Sequence, residues 1–199
     1  MTYYQSLKEI ITNTTGSCVF EIKFGKSLNE CIFKYGILED EFKPILKNII
    51  HRYGNPHYYR STNIYHDDLE LSNNGKNRSY QKCKHETTII NGIGSDFDLE
   101  CNMIVKKKIH TNVFPNVEKY HKCETTENAT FEIAPHLKLI VFHYYEPTTE
   151  TYTKLYYGIK LVYLHQSPRD QSQILLLENK IREVSETVSS IMTFNDYND

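Results

Sequence analysis

The sequence predicts an α+β fold: an antiparallel β-barrel or tunnel with flanking helices, including a C-terminal helix. Three observations predict it. The apolar residues of 37–52 and 171–191 recur at intervals of three and four, the mark of one buried helix face. The region between them reads as many strands punctuated by turn signals. Several of those strands carry charge at every second position, opposite apolar residues or independently of them.

Residues 1–15 read as a short helix with Leu7, Ile10 and Ile11 as its apolar points. A strand follows at 17–26. Alternation along it puts Glu21 and Lys23 on one face and Phe20, Ile22 and Phe24 on the other. A charged pair backed by an apolar triplet fits a barrel strand whose charges line a wet lumen while its apolar side packs outward under a cover. Ile37 to Arg52 is the clearer amphipathic helix, with Pro44 marking a late start or a kink and Gly54-Asn55-Pro56 ending it. Asn73-Asn74-Gly75 is a tight-turn signal between two extended arms, Tyr59 to Leu71 and Arg78 to Ile90. Gly92 and Gly94 mark the next break. Further strands are predicted at Leu99 to His110, Glu118 to Glu127, Leu137 to Tyr145 and Lys154 to Leu164, the last two joined as a hairpin through Glu146-Pro147-Thr148-Thr149. Gln171 to Ile191 closes the chain as a helix with Ile174, Leu177, Ile181, Val184, Val188 and Ile191 on one stripe. Residues 1–199 are expected to form one domain.

Bulk composition narrows the function. A formal net charge of -2 on 199 residues argues against a general nucleic-acid surface, while leaving room for a local basic channel. No 18-residue apolar run exists, so no membrane partner is expected, and the N-terminus lacks the pattern of a signal peptide. The five cysteines are odd in number, scattered and without a CxxC pair, which suits reduced thiols in a cytoplasmic setting, or host cytoplasm or virion for a viral protein. Abundant Asn, Ile, Lys and Tyr with no Trp suits an AT-rich genome, such as that of a large DNA virus or a parasite. No HExxH, GxSxG, P-loop or GxGxxG motif is present. His66-Asp67-Asp68 is better read as a solvated strand-edge cluster, and Cys83-Lys84-His85 is a weak signal for an activated thiol.

Three strands carry the alternating charges: Glu21 and Lys23; Lys82, Lys84 and Glu86; Lys106, Lys108 and His110. On an ordinary half-exposed sheet such rows face solvent. Turned into one lumen, converging lysines would hold a polyphosphate by charge-assisted hydrogen bonds.

The run Glu21-Ile22-Lys23-Phe24-Gly25 resembles the first motif of the β-tunnel RNA triphosphatases of mRNA capping, the triphosphate tunnel metalloenzyme family, which runs Glu-x-Glu-x-Lys/Arg-Phe-Gly. Val19 stands where the first Glu belongs. Met103 to Ile109 looks like the family's basic strand, and His121 to Glu127 loosely matches its Arg-x-Ser-x-Ser-x-Glu strand, with Glu127 in agreement. The last family motif, Glu-x-Glu before the C-terminal helix, falls on Tyr157 to Val162, where Gly158 and Lys160 replace both carboxylates.

The resemblance implies binding of an RNA 5′-triphosphate end or a nucleotide, with γ-phosphate hydrolysis where the metal site survives. It makes Glu21 the metal ligand and, with Glu127, the catalytic carboxylate pair. Lys23, Lys82, Lys84, Lys106 and Lys108 become the phosphate contacts. The cofactor would be Mg2+ or Mn2+ in an active enzyme and none otherwise. The missing acids predict a degenerate member, a pseudoenzyme, because a hard cation needs several oxygen ligands. The alternative is a non-catalytic interaction subunit of a viral or eukaryotic transcription or capping assembly, with Tyr58-Tyr59, Tyr144-Tyr145 and Tyr156-Tyr157 as amphipathic contact area.

Overall fold

A computed structural model of the chain describes residues 3–14, 16–29, 32–34, 37, 39–66, 69–73, 77–90, 98–109, 122–146, 154–165 and 171–189. In chain order these form α1 (Tyr3–Asn13), β1 (Cys18–Asn29), β2 (Ile32–Lys34), α2 (Glu39–Tyr53), β3 (His57–His66), β4 (Leu69–Asn73), β5 (Asn77–Ile90), β6 (Asp98–Ile109), β7 (Lys122–Ala134), β8 (Leu137–Glu146), β9 (Lys154–His165) and α3 (Gln171–Ser189). The strands pair in the order β2-β1-β6-β5-β4-β3-β7-β8-β9, and β1 also pairs with β9. All of the pairings are antiparallel. Because β1 bonds β6 on one edge and β9 on the other, the circuit of hydrogen bonds returns to its start. This is the predicted α+β tunnel, with residues 19–23 of β1 paired on both edges.

The alternation seen in β1 holds. Phe20, Ile22 and Phe24 are fully buried on the outer face of the tunnel wall. They join Leu99, Cys101 and Met103 of β6, Leu137, Leu139 and Val141 of β8, and Ile159, Leu161 and Tyr163 of β9. The cover is supplied by the helices: Ile11 of α1, Ile45 and Ile49 of α2, and Ile174, Leu177, Ile181, Val184 and Val188 of α3 belong to the same cluster. Each such side chain contributes about 1.5–3 kcal/mol through removal from water. The main core therefore lies between wall and helices, while the lumen side carries polar residues together with the buried Ile104, Ile140 and Phe142.

Helix α2 runs through Pro44, with Glu39, Asp40 and Glu41 in its first turn and His51 and Arg52 in its last, the charge order its dipole favours. Gly54, at φ 82°, donates its N–H to the Ile50 carbonyl at 2.9 Å and ends the helix as the sequence predicts.

α2 and α3 are joined by a hub on Glu183. Its Oε1 accepts from Arg52 Nε at 2.9 Å and Tyr53 OH at 2.7 Å, and its Oε2 accepts from Lys180 Nζ at 2.8 Å. Burial alone would raise the Glu183 carboxyl. The hydrogen bonds from Lys180 and Tyr53 and the charges of Lys180 and Arg52 outweigh it and hold the carboxyl below the usual glutamate range. Burial, and then the same Glu183 contact, push the Tyr53 phenol up. A carboxylate depressed in the folded state contributes stability above its unfolded pKa and loses that contribution as pH falls through its folded one. Glu183→Gln is therefore expected to cost about 1–2 kcal/mol near neutral pH, moderated by solvent screening. The gap from wild type should shrink as urea unfolding is repeated from about pH 5 downward.

Three expectations change. The arm from Tyr59 to Leu71 is two strands: the chain reverses between His66 and Leu69, and β3 pairs back on β4 from Thr62↔Asn73 to His66↔Leu69. No glycine or proline marks that reversal, so its pattern read as continuous. β7 continues seven residues beyond Glu127, to Ala134, keeping a polar–apolar alternation through Asn128, Ala129, Thr130 and Phe131. Finally, β5 carries a bulge: Lys82 pairs with Lys106 but Lys84 pairs with Val105. The extra residue resets strand parity, so Lys82 and Lys84 do not share a face. No helix among the described residues is long and apolar enough to cross a membrane.

Candidate functional site: a charged seam inside the tunnel

The seam where β1 lies between β6 and β9 brings two lysines and two glutamates together. Glu21 is flanked by Asn102 on β6 and Val162 on β9, and Lys23 by Glu100 and Lys160. Lys23 and Lys160 are thus like charges directly opposite each other, an arrangement that needs carboxylates nearby. They are present. Lys23 Nζ lies 3.1 Å from Glu100 Oε1, and Lys160 Nζ lies 3.5 Å from Glu21 Oε2. All four side chains are partly buried, between 15% and 23% exposed. Screening is weaker there than on an open surface, and removing one partner leaves a poorly solvated charge behind.

Two features fix this set. Asn102 Nδ2 donates to Glu100 Oε1 at 2.7 Å and its Oδ1 accepts from Thr87 Oγ1 at 2.7 Å, so β5 and β6 hold Glu100 in place. On the other side the Lys160 ammonium sits 5.5 Å from the centre of the Phe142 ring. That ring lies over Gly158, where an added Cβ would meet Phe142 Cζ at 2.7 Å. Gly158 is required by close cross-strand approach.

Across the lumen, part of the wall carries neutral polar groups. Strand pairing places Ser61, Thr126 and Asn128 on the face shared by Phe142 and Gly158. Ser61 and Thr126 hydroxyls are 2.8 Å apart, and Asn128 Nδ2 donates to Thr126 Oγ1 at 2.9 Å. The buried Thr130 hydroxyl, next along β7, has no hydrogen-bond partner among the described residues.

Of the residues singled out from sequence, Glu21 and Lys23 are brought together as expected. Glu127 is not with them. It occupies the opposite parity of β7, facing α2, and its Oε2 lies 3.0 Å from His143 Nε2. The His143 ring stands edge-on to Phe42 of α2. The loose motif match selected an acid one residue out of step with the lumen-facing Thr126 and Asn128. Lys82, Lys106 and Lys108 hold β5–β6 ladder positions, Lys82↔Lys106 and Tyr80↔Lys108. Their side chains, and that of Lys84, lie outside the described ones, as do those of Tyr144, Tyr145 and Tyr156. Sequence reasoning missed Glu100 and Asn102, although the order Leu99-Glu100-Cys101-Asn102-Met103 alternates in step with β1 and carried the signal. Cys101, on the core side of that strand, is an inert buried thiol: burial, then Cys18 and Glu100, push its pKa up to about 12.

The described residues do not fit a divalent cation. Glu21 and Glu100 each already face a lysine ammonium, and no three His, Cys, Asp or Glu side chains among the described residues converge on one point. A hard cation takes six or more oxygen ligands, or fewer with retained waters, and is repelled by an ammonium in its place.

An antiparallel tunnel with helices outside and paired charges inside defines the class: the triphosphate-tunnel fold. Solved structures agree. The chain superposes on the Pct1 RNA triphosphatase of S. pombe with a TM-score of 0.71 at 8% identity, covering 96% of this chain and 91% of that one. The same S. pombe enzyme in complex with the Spt5 CTD gives 0.67 at the same identity and coverage. The RNA triphosphatase domain of the mimivirus mRNA capping enzyme gives 0.61 at 11% identity, covering 93% and 96%. No family model matches the chain, and no curated protein sequence matches it.

Proposed function

We propose that this chain binds the 5′-triphosphate end of RNA, or a nucleoside triphosphate, inside the tunnel and does not hydrolyse it by a Glu21-held metal. The observation that carries this reading is the pair of facing lysines, Lys23 and Lys160, at the seam of a fold that RNA triphosphatases share. A triphosphate presents several anionic oxygens in a row. Two ammonium groups on neighbouring strands match that spacing better than they match each other. Lys106, Lys108 and Lys82 supply further positive charge to the neighbouring β5–β6 ladder. Binding exchanges intramolecular carboxylate partners for phosphate oxygens, and Ser61, Thr126 and Asn128 offer hydroxyl and amide groups to the anion.

The test compares one RNA carrying a 5′-triphosphate or a 5′-hydroxyl end, with γ-phosphate release followed in Mg2+ and Mn2+. The expected result is end-dependent binding, weakened at least about tenfold by Lys23→Ala, and no release. Equal affinity for both ends would remove the triphosphate reading. Release that Glu21→Ala abolishes would show a working metal site.

A further inference from the structure

We infer that Lys160 is the tunnel's resident cation: its ammonium takes the place beside Glu21 that a divalent ion would need, and Glu21 acts as its exchangeable counterion, so polyphosphate enters free of metal. Lys160 Nζ lies 3.5 Å from Glu21 Oε2, and its surroundings hold the lysine there. The Phe142 ring supports the ammonium from one side, and Gly158 is bare so that the ring can lie flat beside it. Substituting a carboxylate at 158 would meet that ring, so both positions of the last strand are built around the lysine. The other carboxylate of this seam pair, Glu100, is likewise held by Lys23 and Asn102.

The consequence inverts what a metal site would show. Where a carboxylate binds the cation that binds phosphate, neutralising it weakens phosphate binding. Where the carboxylate competes with phosphate for an ammonium, neutralising it strengthens binding. An ammonium released from an ion pair offers its full charge to an incoming oxyanion.

Two measurements test this, and only the first rests on the proposed triphosphate site. In EDTA, Glu21→Gln is expected to bind inorganic tripolyphosphate several-fold more tightly than wild type by isothermal titration, on the order of three- to tenfold. Weaker binding by Glu21→Gln would overturn the counterion role. Separately, Lys160→Glu places a carboxylate beside Glu21 and is expected to bind Mn2+ at least about tenfold more tightly than wild type, read from loss of the free Mn2+ signal in electron spin resonance. Lys160→Met, which removes the charge without adding a ligand, should show no such gain. Wild type holding Mn2+ as tightly as a folded Lys160→Glu would overturn the resident-cation role. Absence of tripolyphosphate binding in both wild type and Glu21→Gln, with the Mn2+ gain intact, would defeat the triphosphate reading and the free-polyphosphate claim while leaving Lys160 as the cation.

Discussion

Leu161→Ala is expected to remove about 2–5 kcal/mol of folding stability, the range for truncating a fully buried leucine that the structure cannot collapse around. Leu161 is 0% exposed and pairs with Ile22 across the β1–β9 seam and with Leu139 across β8–β9. Its chain neighbours, Lys160 and Val162, take the opposite face and point into the lumen beside Lys23 and Glu21. A cavity behind the seam therefore loosens the strand that sets the Lys160–Glu21 distance. For a chain of this length each kcal/mol moves the melting temperature by roughly 2–4 °C, so a fall of roughly 4–20 °C should be seen by calorimetry. Polyphosphate affinity should fall with it even well below the melting point. A loss under about 1 kcal/mol would mean that the β1–β9 seam does not carry the core in solution.

Gly158→Ala is the second large effect. The new methyl group would stand 2.7 Å from Phe142 Cζ and 3.2 Å from both Cε atoms. Phe142 is 6% exposed and sits beneath the Lys160 ammonium, so the ring has little room to withdraw. Overpacking of this kind costs about 1–3 kcal/mol. The attribution is checked by a double-mutant cycle: Phe142→Leu, itself destabilising, should become nearly neutral or restoring in the Gly158→Ala background. Additive losses would place the strain elsewhere, because residues in contact are the ones expected to couple.

Much of the fold was legible because its strands announce their two environments. Phe20-Glu21-Ile22-Lys23-Phe24 states by alternation alone that one side is dry and the other wet, and the helix stripes at Ile45 and Ile49 and at Ile174 to Val188 name the cover for the dry side. What escaped reading depends on single residues that alter parity or direction. The bulge between Lys82 and Lys84 is invisible in a run of polar residues, yet it decides which lysine can share a face with Lys106. No glycine or proline stands in the sequence between β3 and β4 to announce that they are separate strands. The site was half legible for the same reason. Glu21 and Lys23 lie on the strand with the strongest pattern, whereas Glu127 came from a motif matched by residue type without regard to parity. Lys160 looked, from sequence, like a lost ligand. Its place against Glu21 and the Phe142 ring gives it a part of its own, and only pairing across three strands brings those residues together.

The most direct measurement is the affinity of a fluorescent 5′-triphosphate RNA for the wild-type protein, by anisotropy, in EDTA and then in millimolar Mg2+. A tunnel whose cation is Lys160 should bind at least as tightly in EDTA as in Mg2+, because magnesium neutralises the ligand without gaining a protein site. Binding that appears only when Mg2+ is present would contradict the account at its centre.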